Sequence, residues 1–332
     1  MINSLRYIIS NQYIPYENLA LEKYLLFSVK EDECILYLWQ NKNTVVIGKN
    51  QNAFKECKVE DLKRDNGYLV RRLSGGGAVY HDLGNLNFTF LVRQENYNLE
   101  KQLEVILRAV RKLSINAEKS GRNDITIDGK KFSGNAFFSS NGFNYHHGTL
   151  LVNVNMNDLS KYLNVSSDKL KSKGVASVKS RVTNLTSYNP GITVDELKIK
   201  LIEAFKEVYK SDPHKISYEK IDVSKIKEFK DEFSSQDFIF GKKIKSEYEL
   251  AKRFSWGDIQ IQVNLSGGFI KDILIYSDAM NEHLIEQVQC VLKGCFFGSC
   301  DLCNRLNEIR VEDEISKQML CDINRLICEN LE

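Results

Sequence analysis

Residues 71–90 read RRLSGGGAVYHDLGNLNFTF. Gly75, Gly76 and Gly77 carry no side chains that would hold a ligand off. Glycine also admits positive φ, so the backbone can wrap closely around a bound group. Amides freed in such a turn suit phosphate oxygens, and Arg71 and Arg72 before it add charge for an anion. Apolar residues follow, with His81 and Asp82 beside them, a mixture suited to a ligand that is part anionic and part greasy. A plain glycine turn between two strands is the competing reading. The arginine pair and the H-D-x-G-N stretch weigh against it. The run is neither a G-x-x-x-x-G-K-[ST] loop nor a G-x-G-x-x-G opening a helix, so the commoner phosphate loops are excluded.

A second constellation is Gly121-Arg122-Asn123-Asp124, which leads into a hairpin turned at Asp128-Gly129. The return strand starts Lys130-Lys131-Phe132-Ser133-Gly134. Strand alternation sends the two lysines to opposite faces, so one faces inward. An inward ammonium can touch an α-phosphate and a carboxylate together and stabilise the charge that develops between them. The bland alternative is a solvated lysine pair beside a turn.

Three further groups carry candidate chemistry. His146-His147 reads as a turn pair at the start of a strand, since metal binding needs more ligands. Residues 171–185, KSKGVASVKSRVTNL, are basic, rich in Ser and Gly and without helical period. They read as a loop able to fold over a nucleotide. Cys290, Cys295, Cys300, Cys303, Cys321 and Cys328 crowd the C-terminus, with a C-x-x-C at 300–303. Zinc usually wants a second such pair or added histidines, and only His283 is nearby. Buried thiols in a small core are the expected account, because free Cys behaves as a small hydrophobe.

The elements that must position these residues are legible as periodicity. The spacing of Leu19, Ala20 and Tyr24, with Glu17 and Glu22 outside, predicts a helix over 16–26. Strands are expected at 34–39, 44–47, 68–72, 87–92, 124–127, 131–138 and 148–153, and a helix at 99–113. Thr193 with Glu196 forms a capping box for a helix over 193–209. From 211 to 245 the pattern weakens into mixed charged segments. A boundary near Lys245 is expected, followed by a hairpin (258–263, 270–276) and helices at 282–292 and 314–329.

The chain has 332 residues, of which 42% are hydrophobic, enough for a sizeable core. Its 46 basic and 44 acidic residues leave a net charge of only +2, so strong non-specific nucleic-acid binding is not expected. No apolar run approaches a bilayer-spanning length, and the N-terminus does not read as a signal peptide, so the expected location is the cytoplasm with its thiols reduced.

Taken together, the motifs resemble the lipoate–protein ligases, in the superfamily that also holds biotin ligases and octanoyl transferases. The match is carried by R-R-x-S-G-G-G-A-V-Y-H-D-x-G-N from Arg71, Gly121–Asp124, Lys131-x-Ser133-Gly134, His147–Leu151 and Ser177–Leu185. Residues 43–52, NTVVIGKNQN, also fit, as does Phe254-Ser255-Trp256-Gly257-Asp258 at the start of the C-terminal module. The resemblance implies an α+β fold: a large catalytic domain with mixed and antiparallel sheets flanked by helices (1–245), and a small α+β accessory domain (246–332).

The activity it implies has two steps. ATP and (R)-lipoate give lipoyl-AMP and pyrophosphate, with Mg²⁺, and the lipoyl group then passes to a lysine of a carrier, forming an amide and releasing AMP, in lipoate salvage. By resemblance Lys131 is the catalytic lysine. Arg72, Gly77, Ala78, Val79, Tyr80, Asn123, Asp124 and Lys131 would contact ATP, with Asp124 also a candidate for the metal. Ser74, Gly75, Gly76, His81 and Lys131 would contact lipoate. Ser177, Val178, Ser180 and Arg181 would form the adenylate-binding loop. Expected partners are lipoyl domains of 2-oxoacid dehydrogenase E2 subunits, the glycine-cleavage H protein, or both, with no nucleic acid or membrane and a monomeric chain. The nearest rival is an amidotransferase that moves lipoyl or octanoyl groups between carriers through a cysteine thioester without ATP. The catalytic region holds only Cys34 and Cys57 for that chemistry.

Overall fold

A computed structural model describes residues 2–121, 124–164 and 182–331. The chain divides into two compact units. One comprises Met1–Val46, Cys57–Arg71 and Val79–Ile239, the other Ile47–Glu56, Arg72–Ala78 and Phe240–Glu332.

The first unit is built on an eight-stranded mixed sheet. Its strands run in the order Pro213–Lys215, Ser4–Ile9, Glu33–Trp39, Asn85–Arg93, Phe143–Leu151, Lys130–Ser140, Asp124–Ile127 and Glu118–Ser120. Ser4–Ile9 pairs in parallel on both sides, and the remaining pairs are antiparallel. Every residue of Glu33–Trp39 is buried, which explains its nearly unbroken apolar run. The helix Leu99–Arg111 lays Leu103, Ile106 and Val110 into the core beside Leu197, Leu201 and Phe205 of Val194–Tyr209. Thr193 caps the latter helix, accepting from the Glu196 amide at 3.1 Å. A second layer pairs Pro15–Ser28 with Val223–Ser234. The α+β class with helices flanking a mixed sheet is therefore as expected. A smaller three-stranded sheet, ordered Tyr68–Arg71, Thr44–Ile47, Val79–His81, leads into and out of the glycine run.

Three sequence expectations change here. Residues 211–245 are not patternless: Pro213–Lys215 closes one sheet edge and Val223–Ser234 is a helix capped by Asp222. That helix buries only Phe233, so charge dilutes its period. The strand beginning at Gly148 starts at Phe143, after a hairpin turn at Asn141-Gly142 with φ of 51° and 77°. Glu22 points inward, at 2% exposure, against the amphipathic assignment of its helix.

The C-terminal part of the second unit is an antiparallel meander of Tyr248–Phe254, Gly257–Ser266 and Phe269–Ser277. It is covered by the helices Glu282–Leu292, Ser299–Leu306 and Glu314–Asn330. Ile259, Ile261, Ile273, Val288, Ile323 and Ile327 form its core. The cysteines are not in it. Cys290, Cys300, Cys321 and Cys328 are exposed and Cys295 and Cys303 half-buried, so the buried-thiol reading is overturned. No helix among the described residues is long and apolar enough to cross a membrane.

Candidate active site

In the first unit the hairpin turn is Asp128-Gly129, both at positive φ (51° and 72°). This twist suits a two-residue hairpin and sends the return strand back along Asp124–Ile127. Lys131 Nζ then lies 2.6 Å from Asp124 Oδ1, with both side chains about two-fifths exposed (38% and 42%). Gly134 leaves the space that the lysine side chain uses: a Cβ there would stand 2.9 Å from Lys131 Cε and Nζ. The Gly134 amide donates to Thr149 Oγ1 at 3.2 Å. Gly148 is equally constrained, since a Cβ would meet Gly134 O and Phe88 Cζ at 2.7 Å. The two glycines of K-x-S-G and H-G-T thus let neighbouring strands close behind the lysine. Ser133 is fully buried on the same strand.

A buried polar chain runs through this unit. Trp39 Nε1 donates to Thr89 Oγ1 (3.0 Å), which donates to Glu22 Oε1 (2.6 Å). Glu22 Oε1 also lies 3.0 Å from His147 Nδ1. His146 is held between Gln102 Oε1 and Asn135 Oδ1 at 3.1 and 2.8 Å. Burial, with His147 adjacent, pushes its imidazole down to about 3. These histidines lie mid-strand and are buried, so the turn-pair reading is corrected. His81 is buried as well, its Nδ1 3.3 Å from Asn41 Nδ2. Asp82 shapes a turn, accepting from the amides of Gly84 and Asn155, each at 2.8 Å. Gly84 is required there, because a Cβ would fall 2.0 Å from Asn153 O. Tyr80 is buried, with its hydroxyl on Asn43 Oδ1 at 3.2 Å.

The glycine run itself belongs to the second unit up to Ala78. Arg72 is 6% exposed and braces the loop: Nε donates to Ser74 Oγ at 3.0 Å, and Nη2 to Gly75 O and Gly77 O at 2.6 and 2.9 Å. Gly76 takes a φ of 87° and donates its amide to Ala279 O at 3.0 Å. A Cβ on Gly75 would meet Ala279 O at 2.4 Å, and one on Gly48 would meet Gly76 O at 2.2 Å. A Cβ on Gly77 would meet nothing within 4 Å. Two glycines of the run are therefore packed and the third is open. Glu282, beside this loop, is pushed up to about 7 by burial. Glu286 adds to that rise, while the Gly75 amide and Lys49 oppose it. Arg71, in the first unit, donates to the carbonyls of Phe238 and Ile239.

Residues 14–206 match the model of the lipoyl protein ligase A/B catalytic domain, and 243–327 that of the bacterial lipoate protein ligase C-terminus. The lipoate-protein ligase A of Psychrobacter cryohalolentis is 37% identical over 314 residues, covering 92% of this chain and 93% of its own. That of Bdellovibrio bacteriovorus is 33% identical over the whole of both chains. The chain belongs to the lipoate–protein ligase family. The solved structure of P. falciparum LipL1 in complex with lipoate superposes with a TM-score of 0.87 at 32% identity, over 98% of this chain and 99% of that one. A lipoate-protein ligase A bound with ATP gives 0.63 at 26%, over 72% and 99%.

For this lipoate–protein ligase family member, the expected site residues sort as follows. Lys131 and Asp124 come together in the first unit, where Val79, Tyr80 and His81 also lie. Arg72, Ser74, Gly75, Gly76, Gly77 and Ala78 lie in the second. Asn123, Ser177, Val178, Ser180 and Arg181 are outside the described residues. Among the described residues no group of three or more His, Cys, Asp or Glu side chains could hold a metal ion, and Asp124 faces Lys131. The residues the sequence reading missed are Glu22, Trp39 and Thr89. Their signal was a carboxylate and an indole inside apolar runs, positions where a polar group needs a buried partner.

Proposed function

We propose that this protein is an ATP-dependent lipoate–protein ligase that forms lipoyl-AMP and transfers the lipoyl group to a lysine of a carrier domain. The observation that carries the reading is Lys131, a half-exposed ammonium on a hairpin that Asp128, Gly129, Gly134 and Gly148 shape around it. Activation must bring a carboxylate against an α-phosphate despite like charge. A positioned lysine neutralises both and stabilises the charge on the oxygens in the transition state. In the second half-reaction it would stabilise the departing AMP while the acceptor lysine attacks.

Arg72, Gly77, Ala78, Val79, Tyr80, Asn123, Asp124 and Lys131 are proposed for ATP. Ser74, Gly75, Gly76 and His81 are proposed for lipoate, and Ser177, Val178, Ser180 and Arg181 for the adenylate. Gly77 is the glycine of the run whose Cβ direction is open, with nothing within 4 Å. Mg²⁺ keeps much of its shell as water and phosphate oxygen, so it would enter with ATP. The relatives with lipoate and with ATP support the two substrates. A bipartite ligase of Thermoplasma acidophilum, 27% identical with a TM-score of 0.65, is described together with its E2 lipoyl domain and supports a lipoyl domain as acceptor. The H protein is the second proposed acceptor. Residues 1–245 are proposed as the catalytic domain and 246–332 as the accessory domain, in a monomer acting in the cytoplasm.

The thioester route is not favoured. Burial pushes the thiols of Cys34 and Cys57 up to about 12, leaving almost no thiolate at neutral pH. The deciding experiment is pyrophosphate release from ATP and Mg²⁺ without carrier protein. Release that depends on lipoate establishes the adenylating ligase. Absence of release, with acyl transfer from a modified carrier instead, overturns it in favour of the amidotransferase.

A further inference from the structure

The two last helices of the chain meet through sulfur. Ser299–Leu306 and Glu314–Asn330 pack together, burying Leu302 and Leu306 against Ile323, Leu326 and Ile327. At the edge of that packing, Cys303 Sγ lies 3.2 Å from Cys328 Sγ. Cys303 is half-buried and also directs its thiol at Asn324 O, 3.9 Å away and one turn before Cys328. Cys328 is exposed. Both thiols are free, and among the described residues no cluster of three ligands offers them a shared metal.

We propose that Cys303 and Cys328 form a thiol-oxidation site, closing to a disulfide that staples the two helices when a small-molecule disulfide oxidises the chain. A disulfide bond is about 2 Å long, so the sulfurs need to approach by roughly 1 Å. The helices are already held in place by their apolar contacts. The exposed Cys328 thiolate attacks one sulfur of the small disulfide. A Cys328–sulfur bond forms, the small disulfide's bond breaks, and one small thiol leaves with a proton. The Cys303 thiolate then attacks Cys328 Sγ and expels the second small thiol. Two protein thiols are oxidised to one disulfide and one small disulfide is reduced to two thiols. Burial, with Cys328 alongside, pushes the Cys303 thiol up to about 11, which makes it the poorer nucleophile toward an external disulfide, while its 3.2 Å approach to Cys328 Sγ places it for the second step. The inference is independent of the lipoate reading.

The test treats the whole reduced protein with oxidised glutathione, alkylates the remaining thiols, and maps digested peptides by mass spectrometry. The expected product has lost the mass of two hydrogen atoms and joins the peptides carrying Cys303 and Cys328. Cys328→Ser should abolish this loss, and Cys300→Ser should leave it in place. A glutathione adduct that persists on Cys328 would overturn the proposal. So would a link from Cys303 to Cys300, or one between any other pair, as the main product.

Discussion

Glu22 and His147, 125 residues apart in sequence, meet at 3.0 Å in the interior, and Thr89 shares the same carboxylate oxygen. Carboxylates are almost never fully buried without partners, and here two partners converge on one. Glu22→Ala removes the acceptor that Thr89 and His147 share. It should lower stability by about 2–4 kcal/mol, read as a fall in urea midpoint. Glu22→Gln, which keeps an acceptor oxygen, should lose less than half of that. Equal losses in the two variants would show that the site is only a packing volume.

Lys131→Ala should reduce lipoyl-AMP formation by at least about a hundredfold, the usual scale for removing one transition-state charge contact. The fold should hold, because a half-exposed ion pair with Asp124 contributes at most about 1 kcal/mol. Adenylation at the parent rate would remove Lys131 from the chemistry.

The glycine run offers a built-in control. Gly75→Ala drives a methyl group to 2.4 Å from Ala279 O and should destabilise by about 1–3 kcal/mol. Gly77→Ala meets nothing within 4 Å and should leave the melting temperature unchanged. If the open face holds ligand, that same methyl group should weaken ATP or lipoate binding about tenfold or more. Unaltered affinities in calorimetry would place the ligands elsewhere.

Acid should unfold the protein partly through His146. Its imidazole is depressed from 6.5 to about 3 by burial, so the native state keeps it neutral. A depressed folded value gives stability that is present above 6.5 and lost as pH falls from 6.5 toward about 3. The full loss is on the order of 4 kcal/mol. Urea midpoints measured over that range in the parent and in His146→Gln should converge toward acid. Parallel curves would mean His146 is not the titrating group.

Much of this architecture is readable from residue order, and the failures share a cause. Thr193 with Glu196, the Asp128-Gly129 turn and the apolar run at 34–39 are local signals, and each element stands where it is expected. Glu22 failed because its burial depends on His147, a partner no helical period can announce. Ser4–Ile9 went unread because its strand character comes from pairing, along its whole length with Glu33–Leu38 and through Leu5, Arg6 and Tyr7 with Pro213–Lys215. Within the run RRLSGGG, ligand-binding types were legible, but the work of Arg72 in bracing its own loop was not. The cysteines were misread because the buried faces of those helices are filled by Leu and Ile, leaving four thiols exposed and Cys295 and Cys303 half-buried at the core's edge.

The parallel edge of the large sheet has a consequence for biosynthesis. Leu5 pairs with Pro213 and Tyr7 with Lys215, so the second strand made is a finished partner long before the other flank exists. On the ribosome, Ser4–Ile9 has to wait with one side open while some two hundred residues emerge. A nascent chain halted before Pro213 should therefore be the species that chaperones hold and proteases cut near its N-terminus.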